Sequence, residues 1–300
     1  MCWQCGNGGE DARGIEAAIN EAAERQWGLS RRALLRGAAG LLALPAAQIL
    51  QACATVPITG RSQLRLISPE EEAKLGVAAF QQLRQSEARK GRLLGAQEAP
   101  NEHAWIRRVA DRVIGASGLA STYRWEYMLV NAPKTVNAAA IAGGRIIVYT
   151  GILPVARTDG GLATIIGHEV GHVMAHHTAE RISQDQLVNL AGVAAGAAGV
   201  GDLTMAALGL GAQVGILLPY GRKQETEADH MGLLLMAKAG YDPRESVGLW
   251  QRMNQSGGDR PPEFLSTHPN PENRIANLQQ LMPQALRYYQ NPALPLPNVS

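Results

Sequence analysis

The residues His168-Glu169-Val170-Gly171-His172 place two imidazoles four positions apart with a carboxylate next to the first. The pentapeptide follows an apolar run, Leu162 to Ile166, with no helix breaker before Gly167. On an α-helix, positions four apart share a face, so both imidazoles can grip one Zn²⁺ while Glu169 borders the open coordination position. The chemistry of such an HExxH arrangement is hydrolysis: the cation acidifies a water, and the carboxylate takes its proton. Three specified residues recur by chance in roughly one chain in a hundred of this length, so the motif needs a third ligand and a fitting context.

A catalytic zinc needs three protein ligands and one open position. His176 lies one turn beyond His172 and His177 follows it, but a third ligand usually comes from a segment that closes the site from elsewhere. Both histidines could be a ligand or a partner behind one, but polarity near a helix end is the favoured reading. Glu225 and Asp229 are a better pair, four apart in Arg222-Lys223-Gln224-Glu225-Thr226-Glu227-Ala228-Asp229. Glu225 can reach the metal while Asp229 hydrogen-bonds a ligand imidazole from behind. Glu227 offers a competing carboxylate, and an ordinary charged helix face has the same spacing.

HExxH followed by the ExxxD of Glu225 to Asp229 resembles the gluzincin metallopeptidases of the HtpX and CAAX prenyl protease type. The soluble bacterial periplasmic members are the nearest in layout. The resemblance implies Glu225 as third ligand, Asp229 as its support, one Zn²⁺ per chain, a zincin-like fold and endopeptidase activity with Glu169 as general base. Two further stretches carry it. Val136-Asn137-Ala138 through Gly143-Gly144-Arg145-Ile146-Ile147-Val148-Tyr149-Thr150-Gly151 resembles the family's substrate-pairing strand, which gives Asn137 and Ala138 a place beside the substrate. Ala139 and Ala142 depart from the aromatic and the proline usual there. Ser266-Thr267-His268-Pro269, with Arg274 downstream, resembles the C-terminal THP…R motif. A hydrolytic oxyanion needs a donor besides the metal, and His268 or Arg274 is placed to supply it. The resemblance also implies His268 as a regulatory fourth ligand; the other reading of the stretch is a helix-entry turn opened by Pro269 and Pro271. The matched region runs from about residue 56 to 285.

Elements to hold these residues are legible around them. Ser68 as N-cap, Pro69 behind it and acids at 70 to 72 start a helix that the apolar spacing carries to Lys90. Helical spacing recurs over 101–114 before Gly115. Residues 123–130 and 145–150 alternate as strands, with 131–144 as the loop between them. The metal helix runs to 177 or 179, and further helices are predicted over 222–239, 243–254 and 272–289. This predicts an α+β fold, mainly α, with a small β-sheet beside the HExxH helix. One metallopeptidase domain spans 69–290, after a tether at 53–68 and before a Pro-rich tail at 291–300. Residues 187–218 are rich in Ala, Gly and Leu and carry one charge, Asp202. Gly201-Asp202 splits them into pieces too short to span a bilayer, so they read as two helices on the core or at a membrane surface.

Composition sets the wider limits. The chain has 300 residues, 46% apolar, enough for a full core. Its three cysteines, Cys2, Cys5 and Cys53, leave no internal disulfide beyond Cys53, and Cys2-Trp3-Gln4-Cys5 is only half a zinc site. Lys and Arg number 28 against 26 Asp and Glu, without a basic cluster in the mature chain, which excludes nucleic acid as an expected partner. Arg31-Arg32 before the uncharged stretch 37–50, ending at Leu50-Gln51-Ala52-Cys53, reads as a twin-arginine-like export signal over 1–52. Leu50 and Ala52 make Cys53 the lipidation candidate, although Gln51 departs from the lipobox; a buried core helix is the other reading of the stretch. The expectation is a zinc endopeptidase of the bacterial periplasm or envelope. It would act on unfolded or misassembled proteins and meet the membrane through a lipid anchor or residues 187–218. The rival is a chaperone-like envelope lipoprotein that keeps zinc and restrains proteolysis.

Overall fold

The computed structural model describes residues 53–184, 218–256, 262–268 and 273–297. The expected export signal, the Cys2/Cys5 pair and nearly all of 187–218 lie outside them. Strands β1 (Cys53–Thr55) and β2 (Ser62–Leu64) form a short antiparallel hairpin. Helix α1 (Pro69–Arg89) follows, and Ser68 is its N-cap as expected, completed by Glu71 into a capping box: the Ser68 hydroxyl accepts the Glu71 N–H, and the Glu71 carboxylate accepts the Ser68 N–H. Strand β3 (Leu93–Leu94) leads to α2 (Pro100–Ser117), which runs past Gly115 and stops where Gly118 takes the left-handed conformation, φ 79°.

Strands β4 (Glu126–Val130), β5 (Ala138–Ile141) and β6 (Arg145–Tyr149) complete a four-stranded sheet in the order β3-β4-β6-β5. β4 runs parallel to β6 and β5 antiparallel to it, so β5 is an edge. The stretch 131–144, read as a loop from its pattern, thus contains a strand where the resemblance implied a substrate-pairing edge; three alanines in it gave no β signal. Every residue of β6 is buried, because the sheet is covered on both faces. Ile146 and Val148 point into the main core with the helices below, while Ile147 and Tyr149 meet Phe80 and Leu83 of α1 on the other face.

After a 3₁₀ turn (Thr150–Ile152) and the one-turn α3 (Leu153–Ala156), helix α4 (Asp159–Met174) carries HExxH through the centre of the molecule. It is buried from Gly160 to Met174, hence its nearly unbroken run of apolar and small residues. Four elements close the fold: α5 (Leu218–Lys238), α6 (Glu245–Gln255), the short α7 (Glu263–Thr267) and α8 (Arg274–Gln290). Helices α4 and α5 cross at glycines. A Cβ on Gly232 would lie 2.6 Å from the His168 nitrogen, and one on Gly167 would lie 2.8 Å from the Gly232 oxygen. Those obstacles are backbone and cannot swing away, so the crossing brings the two chemical helices together at a distance no side chain permits. Gly232→Ala should therefore lower stability by about 1–3 kcal/mol, read as a lower urea midpoint. An unchanged midpoint would show that the crossing has slack.

The helix carrying the motif does not continue to 177 or 179. It breaks after Met174, His176 adopts φ 54°, and helix resumes over 177–184. Glu72 of α1 holds the break, accepting from the Ala179 N–H and pairing with the His176 ring.

The supposed tether and the described part of the tail, 291–297, pack against the domain. Val56 and Ile58 enter the main core, the Ile58 N–H donates to the Pro297 carbonyl, and Lys238 Nζ donates to the Leu294 carbonyl at 2.6 Å. Apolar residues scattered among prolines and a glycine gave no periodicity to reveal this packing. Among the described residues, no helix is long and apolar enough to cross a membrane.

Candidate metal centre

On α4 the i, i+4 spacing sets the imidazoles of His168 and His172 side by side, with their Nε2 atoms 3.1 Å apart. Glu225 comes across from α5, its carboxylate oxygens 3.3 Å from each of those nitrogens. His268, at the end of α7, adds its Nδ1, 3.2 Å from His168 Nε2 and 3.0 Å from Glu225 Oε1. Ligand atoms of His168, His172, Glu225 and His268 all lie within 4.8 Å of one another, and all four residues are buried. These four come from three separate segments, and tertiary packing alone unites them.

Each α4 imidazole is oriented from behind. His168 Nδ1 lies 2.9 Å from Asp229 Oδ1, one turn below Glu225 on α5, as the spacing suggests. His172 Nδ1 lies 2.8 Å from His177 Nδ1, and His177 Nε2 lies 3.2 Å from Glu227 Oε2. With Nδ1 engaged in both rings, Nε2 is the atom each presents to the cluster. Glu227, the competing carboxylate in sequence, is thus outside the donor cluster and tied to His177. His177, favoured as helix-end polarity, is 1% exposed and sits directly behind His172 of the donor cluster. The break at His176 is what turns it there; a continuous helix would have carried it round the axis. One signal was available: two imidazoles each need a partner behind them, and Asp229 could serve only one.

Arg274, at the start of α8, was a candidate oxyanion donor. Its guanidinium instead lies behind the acidic pair of α5: Nη2 donates to Glu225 Oε2 at 2.9 Å and Nε to Asp229 Oδ2 at 2.6 Å. The same group packs 3.9 Å from the centre of the Trp250 ring. Asn137 and Ala138 sit where β5 begins. Asn137 is buried, its side-chain N–H donates to Glu263, and its Oδ1 accepts the Ala138 N–H. Because the Tyr149 N–H bonds the Asn137 carbonyl, the register leaves the backbone groups of Ala138 and Ala140 on the outer side of the edge strand. The Ala140 N–H there donates to Glu169 Oε2 at 2.9 Å. Glu169 Oε1 accepts no hydrogen bond and lies 3.3 Å from His268 Nε2. Cys53 is exposed at the first residue of β1.

The electrostatics suit a cation. Burial pushes the His168 imidazole down, but Glu225 and Asp229 outweigh it and raise the group to about 9. Burial dominates at His172 and holds it well below the usual range, hence neutral. Burial opposes ionisation of Glu225, yet the neighbouring histidines keep its carboxyl well below the ordinary carboxylate range. Two carboxylates thus draw positive charge to a buried point, and a dication answers that field. Imidazole nitrogens with a carboxylate oxygen, each oriented from behind, are a donor set that fits zinc.

The model of peptidase family M48 matches residues 100–282 of this chain. The mitochondrial metalloendopeptidase OMA1 of Schizosaccharomyces pombe is 33% identical over 242 residues, 77% of this chain and 66% of that one. OMA1 of Arabidopsis thaliana is 41% identical over 169 residues, 55% of this chain and 33% of the other. The beta-barrel assembly-enhancing protease of Escherichia coli O157:H7 is 28% identical over 234 residues, 74% of this chain and 46% of the other. The chain spans about a third to two thirds of the length of these relatives. The stretch that the family model matches contains both HExxH and Glu225, and the chain belongs to peptidase family M48.

Proposed function

We propose that the protein is a zinc-dependent endopeptidase that cleaves extended segments of unfolded proteins. The observation that carries this reading is Glu169: its Oε1 faces the donor cluster without accepting a hydrogen bond, while Oε2 holds the amide of an open strand edge. His168, His172 and Glu225 would hold Zn²⁺, which supplies Lewis acidity, lowering the pKa of water and polarising a carbonyl. Glu169 takes the proton of the attacking water on Oε1 and returns it to the departing amine. An extended substrate adds along β5, donating to the outward carbonyls of Ala138 and Ala140, whose N–H groups are held by Asn137 Oδ1 and Glu169 Oε2. Side chains add little there, since these residues are alanines, so the edge selects for extended backbone more than for sequence. Arg274 anchors Glu225 from behind. His268, whose Nδ1 sits among the donors, caps the cluster and must withdraw before a substrate carbonyl enters.

The names of the relatives, metalloendopeptidase and protease, support this reading, and a site at an open edge suits work on misassembled chains in quality control. The leader pattern over 1–52 supports export to the bacterial envelope with lipid attachment at Cys53, whose exposed position leaves its thiol accessible. Cys53→Ala should then move the protein from the membrane fraction to the soluble one; retention would remove the anchor.

The test of function is metal content together with cleavage of casein by the mature chain. One zinc per chain and casein cleavage that stops with chelator and returns with zinc are expected. A zinc-loaded chain that cleaves nothing would favour a chaperone-like binding protein.

A further inference from the structure

Behind His172 the hydrogen bonds do not end at His177. Glu227, which pairs with His177 Nε2, also accepts from Thr59 Oγ1 at 2.7 Å and from Arg61 Nε at 2.8 Å. Arg61 closes the chain with a two-pronged grip on Glu180, 2.6 and 2.8 Å from its two oxygens, and Gln224 donates to Glu180 from α5. Thr59 and Arg61 lie in the turn between β1 and β2, so the row runs from a ligand imidazole to the N-terminal hairpin.

The order of donors along this row is fixed. If His172 offers its Nε2 lone pair to a cation, its proton is on Nδ1 and is donated to His177 Nδ1. His177 must then carry its own proton on Nε2 and donate it to Glu227, which has no proton to give in return. Glu227 also accepts from Thr59 and Arg61, so it closes the row as an acceptor. Every link therefore has one donor and one acceptor, and the sense of the row is set at the hairpin end by the Arg61 charge.

We propose that His177, Glu227 and Arg61 are positioning residues of the metal centre: they lock the His172 tautomer and ring angle, so that the N-terminal hairpin, through the turn at Thr59 and Arg61, sets how tightly zinc is held. This rests on the zinc reading above. It gives the fold a reason to bury Val56 and Ile58 beside that turn: the hairpin must be fixed for its charge to act on His172.

The experiment is zinc affinity of the full chain, measured by competition with a chromophoric chelator, for three proteins. His177→Phe keeps a ring and removes both polar atoms; loss of such an outer partner should weaken zinc about 10- to 100-fold. His177→Gln restores the order, its amide oxygen accepting from His172 and its NH₂ donating to Glu227, and should recover most of that loss. Equal affinity for His177→Phe and the unmutated chain overturns the proposal, and so does a His177→Gln protein as weak as His177→Phe. Should His177→Phe fail to fold, Arg61→Met replaces it, with Arg61→Lys as the charge-retaining control. Weaker zinc binding with Met and recovery with Lys supports the row; no difference between them overturns it. An unmutated chain that binds no zinc overturns both readings, whereas zinc binding without casein cleavage overturns only the proposed function.

Discussion

Glu169→Gln should abolish casein cleavage while zinc content stays at one per chain. General-base catalysis contributes about 10²–10⁴-fold, and a buried carboxylate facing the donor cluster belongs at the upper end of that range. The substitution is close to isosteric. The glutamine amide oxygen can still accept the Ala140 N–H now held by Glu169 Oε2, so the strand edge keeps its position. What disappears is the lone pair on Oε1 that can take a proton. The effect should therefore fall on kcat and leave KM nearly unchanged, since substrate is bound by the edge strand. Glu169 is not among the four clustered donors, which is why zinc is retained. Cleavage within tenfold of the unmutated rate would remove Glu169 from the chemistry, and loss of zinc would mean that it is a ligand.

Much of this site is legible in the amino-acid sequence alone, and the parts that are not are those where long-range packing decides. The His168/His172 spacing and the Glu225/Asp229 spacing are local helical facts, and the structure puts each pair on one helix face. The N-cap at Ser68 is equally local and equally visible. Strand β5 is different: alanines have weak β propensity, and the segment is a strand because β6 is beside it. The turn at His176 is different again, since a left-handed histidine has no local cause and is held by Glu72 from a helix about a hundred residues earlier. That one turn hid the role of His177, and with it the role of Glu227, which the sequence offered only as a rival ligand. The glycines Gly167 and Gly232 were present in both helices, but only their meeting shows why each is small.

Arg274→Leu should separate the two tasks of the acidic pair on α5. The guanidinium is buried and donates to both Glu225 and Asp229, so removing it leaves two buried carboxylates with imidazoles as their remaining partners and no permanent positive charge. Breaking a buried pair of this kind costs about 3–5 kcal/mol, because the remaining charge stays desolvated. Leucine keeps much of the contact with Trp250, so the loss is mainly electrostatic. The metal-free variant should accordingly unfold at a much lower urea concentration than the unmutated protein. Zinc should recover part of the difference, since a dication beside Glu225 supplies the missing positive charge, and zinc at a hundred times its Kd adds about 2.7 kcal/mol by mass action alone. Recovery beyond what mass action gives to the unmutated protein is the specific expectation. Glu225→Gln is the complementary change: its amide oxygen can still accept from Arg274, so stability should fall less, but a neutral oxygen holds zinc poorly and the metal should be lost on dialysis. A stable Arg274→Leu protein would mean that the carboxylates do not need the guanidinium; full zinc content in Glu225→Gln would remove Glu225 from the ligand set.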